Sequence, residues 1–492
     1  MFDKAMDLPV SWHKDHHSGD TIDKINKASE NLYQFAGALF FSIEIFVDLF
    51  GSLIMLLIFD WKAVIMASII SAFAIFTVGK IDRAIRKEHK KIYKAENYLA
   101  SGIHDYISNI ITIVTLRLKA KVSKVIENRS MKAFPAYKKN CVLSEFKWAS
   151  ASFFIAIMTA VVLITHSWFS FQTKGTILIG TLYVLFNYLR AIGNTFYQLA
   201  WRMGEIVKQE AAVSAADVIN QTYDKISTQK QETKYLLPSD WKHLLIKNLT
   251  FSYKENEKKS ERGHDLKNVK IRIARNSRIA LIGESGSGKS TLLSLIRGLH
   301  EPLISAVYAD GKKLPHGLKH FHEHVTLIPQ DPEIFNTTIK DNITMGLKTS
   351  KQDLDKAIEL ACFGKVIERL QKGLQTHVME KGVSLSGGEK QRLALARGLL
   401  IAKKYDFILL DEPTSSVDSA NELTIYQNIF RHFQDKTILS SIHRLHLLRY
   451  FDYIYYFKNG KLITQGTFTT LVYDPHFKSI WESYHKKQKT TL

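Results

Sequence analysis

The sequence predicts an all-α transmembrane domain of about four spans, with long helical extensions beyond the bilayer, followed by an α/β domain built around a phosphate-binding loop. Three observations predict it. Long apolar runs crowd the first part of the chain, short β-rich runs alternate with helical stretches from Trp241 onward, and the glycine-rich LIGESGSGKSTL follows one of those strands. A length of 492 residues accommodates one large membrane domain and one soluble one.

The chain opens on MFDKAMDLPVSWHKDHHSGDTIDKIN, which is polar, carries Pro9 and Gly19 as breakers, and lacks the charged start, apolar middle and small-residue cleavage site of a secretory signal. It reads like the interior of a longer helical domain. Its His13, His16 and His17 read as a solvated loop in preference to a metal site. Apolar runs follow at 35–59, 63–79, 148–171 and 176–201. Roughly 20 apolar residues cross a ~30 Å hydrocarbon core, and buried helices of soluble proteins rarely stay apolar all round for so long. Glu44 and Asp48 interrupt the first run at i,i+4 spacing, on one helical face. Ionisable groups at that depth default to a pathway or partner role; they either lie near water or meet a cation on a neighbouring helix, and Arg190 in the fourth run is a candidate.

The loops give the orientation. Residues 80–147 hold 16 Lys and Arg, whereas the breaks on the other side offer Lys62 and Lys174. This asymmetry places 80–147 in the cytoplasm, and with four spans both termini share that side. The segment is rich in Lys, Glu, Ala and Ile and reads as two helices of ~30 residues, reaching about 45 Å from the bilayer. Their elbow is expected near Ser101-Gly102, within 100–109. The domain boundaries are therefore 1–219 for the membrane domain, 220–240 for a polar linker of mixed charge, and 241–492 for the α/β domain.

A net charge of +20 raises the question of nucleic acid. The excess is spread over both halves with no arginine-rich tail, which suits the cytoplasmic surface of a membrane protein. Cys141 and Cys362 are the only cysteines and lie far apart, which excludes a disulfide framework and a cysteine-based metal site.

In LIGESGSGKSTL the spacing G-x-x-x-x-G-K-S lies between a strand and a helix. Gly283, Gly286 and Gly288 permit a loop whose N–H groups turn inward around phosphates, with Glu284, Ser285 and Ser287 between them. Lys289 reaches the β/γ oxygens, Ser290 offers its hydroxyl to Mg²⁺, and Thr291 also belongs to the nucleotide-binding set. FILLDEP at 407–413 is a buried strand ending in two acids. Asp411 is placed to hold Mg²⁺ and Glu412 to polarise an attacking water. Between these segments, Ser386, Gly387 and Gly388 open a second helix, and its N-terminus is a second anion site. Two such sites in one domain make sense if the second faces a nucleotide held by another copy.

LSGGEKQR at 385–392 resembles the signature of ATP-binding cassette ATPases, whose consensus is LSGGQ; Glu389 departs from it. The other family elements follow in order. Tyr253 in FSY looks like the aromatic that stacks on adenine, and Gln330 in LIPQDPEIF like the glutamine that senses Mg²⁺. SSVD, Ser415 to Asp418, looks like the loop that crosses a dimer interface, and His443 in SSIHR like the switch histidine at the γ-phosphate. The match covers roughly 240–485.

The membrane half resembles the exporter type of this family, with six spans per subunit and two short coupling helices. The elbow looks like the second coupling helix and LPVSWHKDHHSGDTIDKI like the first, so the four runs correspond to the last four of six. The resemblance implies a half-transporter that binds ATP and Mg²⁺ and pairs with a second subunit. Intact motifs on one chain favour a homodimer. It also implies a multi-pass protein of the cell membrane with a cytoplasmic ATPase domain, exporting an unidentified substrate and binding no nucleic acid. The competing readings are a truncated subunit that hydrolyses ATP but needs a partner for transport, a soluble cassette ATPase acting on nucleic acid, and a cassette-based channel or regulator.

Overall fold

A computed structural model describes residues 1–16, 18–227, 235–253, 265–378 and 385–489. The chain divides into two compact units, Met1–Gln231 and Glu232–Leu492.

The first unit is helical. Its elements are α1 (Phe2–Met6), α2 (Val10–Asp15), α3 (Ser18–Gly37), α4 (Leu39–Phe59), α5 (Trp61–Ser108), α6 (Ile110–Thr115), α7 (Lys119–Met131), α8 (Phe134–Lys174) and α9 (Ile179–Ser227). Among the described residues, three helices are long and apolar enough to cross a membrane: Ser18–Phe59, Trp61–Ser108 and Lys119–Lys174. The fourth apolar run lies in α9, where Asn187, Arg190, Asn194 and Gln198 dilute it.

Each break has a local cause. Asp60 ends α4 in extended backbone and caps α5, accepting from the N–H groups of Lys62 (2.9 Å) and Ala63 (3.4 Å). Gly175, at φ 65°, ends α8 in the left-handed conformation. The elbow lies farther along than Ser101-Gly102, because α5 runs unbroken to Ser108. The chain reverses through α6 and the turn at Arg117, whose φ is 54°. Gly102 permits a close approach instead of a turn: a Cβ there would collide with Nη1 of Arg129, whose guanidinium also covers the Tyr98 ring. The polar stretch from residue 220 to Ser227 is the end of α9 and not linker. His13 lies on α2 and His16 caps it, stacked on Trp12 at 4.1 Å, so these two belong to a helix and not to a loop; His17 lies outside the described residues.

Leu56, Ala63, Ala67, Met158, Val162, Leu185 and Leu189 fill a common core between α4, α5, α8 and α9. The alanines let backbones approach closely, while Phe46, Phe50, Ile69, Phe73, Phe153 and Ile164 project outward. At the end of the apolar section, the ammonium of Lys147 donates to Asp82 and to the Ala200 carbonyl, both at 3.3 Å. Both side chains are under 10% exposed, so this pair joins α8 to α5 and α9. Lys147→Met leaves Asp82 buried without its cation and is expected to cost about 3–5 kcal/mol. Thermal unfolding in detergent measures this, and adding Asp82→Leu should restore most of the loss. The cation that meets α4 is not Arg190. Arg202, 4% exposed, donates to Ser42 Oγ at 3.1 Å and to the Phe35 carbonyl at 3.4 Å, whereas Arg190, Glu44 and Asp48 are exposed in this chain.

The second unit is α/β. Strands β2 (Leu266–Ala274), β1 (His243–Phe251), β4 (Ile304–Ala309) and β5 (Lys312–Leu314) form an antiparallel sheet in that order. Strands β10 (Lys461–Gly466), β9 (Tyr453–Lys458), β3 (Arg278–Gly283), β8 (Thr437–Ser441), β7 (Phe407–Asp411) and β6 (Val325–Ile328) form a second sheet, parallel except for β10. The helices are α10 (Lys289–Arg297), α11 (Ile339–Thr344), α12 (Lys351–Leu360), α13 (Gly364–Arg369), α14 (Gly387–Ala402), α15 (Ser419–His432), α16 (Phe468–Leu471) and α17 (Pro475–Lys489). One core lies between the sheets and α10, centred on Leu244, Ile271, Leu281, Leu293 and Phe407; the other, around Phe363, Leu395 and Tyr426, joins the second sheet to α11–α15. The chain enters this unit through a histidine clamp. The Tyr235 ring stacks on His316 at 3.8 Å, His320 Nδ1 donates to the Leu236 carbonyl at 2.9 Å, and the Leu237 N–H donates to His324 Nε2 at 3.3 Å.

Candidate nucleotide site

The neighbouring parallel strands β3, β8, β7 and β6 all release their chain at one edge of the sheet, where ligands of open α/β folds collect. Four functional segments follow. The glycine loop leaves β3, Asp411 ends β7 with Glu412 next, Ser441 ends β8 two residues before His443, and Gln330 lies two residues past β6.

The loop has its helical cap in place. Gly288 sits at φ 105° immediately before α10, where a side chain would collide with Leu266, and a Cβ on Gly283 would collide with the Phe457 carbonyl. Only glycine fits this backbone. Glu284, Ser285 and Gly286 form the exposed tip. Lys289 is 4% exposed and donates to the carbonyls of Gly283 (2.8 Å) and Glu284 (3.2 Å), so its ammonium is folded into its own loop. Burial pushes its pKa down, against the pull of Glu412 and Asp411. The hydroxyl of Ser287 is buried with no partner among the described residues. A glycine-bounded loop at a helix N-terminus, a desolvated cation and an orphan hydroxyl together fit the phosphates of ATP.

Beside the cradle, Asp411 Oδ1 accepts from Ser290 Oγ at 2.9 Å and from Ser441 Oγ at 2.8 Å. Burial pushes the Asp411 carboxyl above its usual range even though these hydroxyls favour the charged form. A partly buried carboxylate, a hydroxyl and the Gln330 amide are hard oxygen donors of the kind that suit Mg²⁺. Tyr253, half exposed, hydrogen-bonds through its hydroxyl to Thr291 at 3.3 Å, and its backbone N–H donates to Asp265. Its ring therefore stands at the mouth of the phosphate loop.

Glu412 is the centre of the constellation. It is 9% exposed and adopts φ 47°, a left-handed conformation costly for a residue with a side chain. Three bonds hold it there. Its N–H donates to Ser441 Oγ at 2.8 Å, one carboxylate oxygen accepts from Gln330 Nε2 at 2.9 Å, and the other meets His443 Nε2 at 2.5 Å. Gln330 and His443, which are 82 and 31 residues from Glu412 in sequence, thus converge on one carboxylate.

Ser386, Gly387 and Gly388 stand at the start of α14. Ser386 Oγ accepts from the Glu389 N–H at 3.3 Å while the Glu389 carboxylate accepts from the Ser386 N–H at 2.9 Å, a reciprocal capping box. Arg369 binds the same carboxylate at 2.7 Å. Burial opposes ionisation of Glu389, but the Ser386 and Arg369 bonds hold its pKa below the usual range. Glutamate is one of the two residue types that close such a box, so the departure from the LSGGQ consensus leaves the helix capped. Gly387 and Gly388 pack on the 415–418 loop: a Cβ on Gly388 would lie 2.6 Å from the Ser416 carbonyl. Gly388→Ala must therefore displace that loop. It is expected to lower ATP turnover by an order of magnitude or more while nucleotide affinity, read with a fluorescent analogue, is kept.

Sequence reasoning missed two members of the site. Gln391 donates to the Gln330 carbonyl at 3.2 Å and to Ser415 Oγ at 2.7 Å, and accepts from the Ser416 N–H at 2.8 Å. Its place inside LSGGEKQR was the available signal. Ser441 bridges Asp411 and Glu412, and its signal was a hydroxyl at the buried end of a strand, two residues before His443.

A phosphate loop, an acid pair at the end of the next strand but one in the sheet, and a second capped helix define a P-loop ATPase, fused here to a unit of long apolar helices. Family models agree. Residues 266–415 match that of the ABC transporter and residues 1–195 that of the ABC transporter transmembrane region. The chain belongs to the ATP-binding cassette transporters: it is an integral membrane protein with an exporter-type membrane domain fused to a transporter ATPase. It is 26% identical over 501 residues to the ABC-type transmembrane transporter verA of Clonostachys rogersoniana, covering 96% of this chain and 38% of that one. It is 25% identical to the ATP-dependent lipid A-core flippase of Photobacterium profundum, covering 96% of this chain and 79% of the flippase. A solved bacterial Atm1-family ABC exporter with ATP bound shares the fold, with a TM-score of 0.86 at 21% identity over 98% of this chain and 84% of that structure.

Proposed function

We propose that the chain is one half of an ATP-driven exporter. Two copies enclose ATP between the phosphate loop of one and the Ser386–Gly388 helix of the other. The observation that carries this is the shared carboxylate of Glu412, held between Gln330 and His443 beside a glycine-bounded loop in a chain that also carries helices long and apolar enough to cross a membrane. Bound ATP with Mg²⁺ supplies the phosphoryl bond to be cleaved. Lys289 neutralises charge on the phosphate oxygens, and Ser290, Asp411 and Gln330 are the oxygen donors for the cation. Glu412 orients water and takes its proton, with His443 fixing the carboxylate. Tyr253 stacks on the base. The positive charge of residues 80–147 supports a cytoplasmic ATPase domain, in a cell membrane, with an unidentified substrate.

The test is the full chain reconstituted in proteoliposomes. Mg²⁺-dependent ATP hydrolysis together with ATP-driven movement of a fluorescent phospholipid or amphiphile across the bilayer supports export. Hydrolysis with no vectorial movement across a broad panel supports a subunit that needs a partner.

A further inference from the structure

Arg444 follows His443 directly, yet its guanidinium turns away from the nucleotide site. Nη2 donates to the Val417 carbonyl at 2.9 Å, and Nη1 to Glu422 Oε2 at 3.1 Å and Ser419 Oγ at 3.2 Å. Glu422 is 4% exposed, and its other oxygen accepts from the Thr414 hydroxyl at 2.8 Å. Thr414 lies two residues past Glu412. One buried carboxylate therefore joins three segments: the chain leaving β7 after Glu412, the first turn of α15, and the chain leaving β8 after His443. Asp418, which ends the 415–418 loop, caps the same turn of α15 through the Asn421 N–H at 2.9 Å.

We propose that Arg444 and Glu422 are positioning residues for hydrolysis, which hold His443 in register with the 415–418 loop. The argument is geometric. Val417 belongs to that loop, and its carbonyl is bound by the residue next to His443, so a shift of the loop is carried through a two-headed guanidinium to His443. His443 in turn meets Glu412 at 2.5 Å, a contact with little tolerance for displacement. A bidentate side chain is needed because two acceptors on different segments must be held at once. The loop that packs on Gly388 and the signature helix is thereby tied to the group that fixes Glu412. The inference rests on the reading of Glu412 and His443 as hydrolytic residues.

The experiment uses the full chain in lipid nanodiscs and measures kcat, KM for ATP, affinity for a fluorescent ATP analogue, and the thermal midpoint. Arg444→Ala strands the Glu422 charge, so the paired variant Glu422→Gln/Arg444→Met, which removes charge and partner together, guards against simple unfolding. The expected result for the paired variant is a kcat lower by about 10- to 100-fold, with KM, analogue affinity and midpoint unchanged. Arg444→Lys should restore the midpoint but not kcat, because one ammonium does not hold both Glu422 and Val417. Recovery of kcat and midpoint together in Arg444→Lys, or wild-type kcat in the paired variant, overturns the proposal. Glu412→Gln run in parallel separates the two levels: if it turns over normally, the site reading fails; if it is inactive while the paired variant is active, only this inference fails.

Discussion

Glu412→Gln is expected to abolish ATP turnover, lowering kcat at least about 100-fold, the range for loss of a positioned general base. The amide keeps the shape of the side chain and still accepts from Gln330 through its oxygen, but it takes no proton from water. Nucleotide binding should survive, because the phosphate cradle, Lys289 and Tyr253 are untouched. The protein should therefore retain ATP after gel filtration, and a kcat close to wild type would remove Glu412 from its central role. The left-handed backbone at Glu412 is held by Ser441 as well as by the side chain, so the variant should fold.

Lys289→Ala acts at the other end of the phosphates. The ammonium sits in its own loop, desolvated, against the carbonyls of Gly283 and Glu284. Its removal is expected to lower turnover by about 100- to 1000-fold, as for loss of a preorganised electrostatic donor. Unlike Glu412→Gln, it should also weaken nucleotide affinity, measured by titration with a fluorescent analogue. Binding at full strength would show that the backbone cradle alone holds the phosphates.

The motifs of the proposed nucleotide site were legible in the sequence because they are contiguous and their geometry is local. A glycine loop between a strand and a helix, or an acid pair at a strand end, carries its fold with it. Contacts between segments were not legible. Nothing in SSIHR shows that Arg444 reaches back to Glu422, and nothing in the apolar run of α9 shows that Arg202, and not Arg190, meets α4. The elbow was misplaced for the same reason. Ser101-Gly102 has the composition of a turn, but the glycine makes room for Arg129, while the true reversal at Arg117 carries neither glycine nor proline. Glu389 departs from the family pattern, and its reciprocal cap with Ser386 was not legible in the sequence. The four expected spans at 35–59, 63–79, 148–171 and 176–201 remain a proposal that cysteine accessibility across the bilayer can test.

The central claim is that each ATP is held by two copies. It is tested most directly by mixing two inactive chains, Lys289→Ala and Gly388→Asp, and measuring Mg²⁺-ATP turnover of the mixed assemblies. Each variant alone carries two damaged sites. A mixed pair joins the intact phosphate loop of one copy to the intact signature helix of the other, so turnover should reappear. A mixture as inactive as either parent, with mixed pairs shown to form, would contradict a site shared between copies.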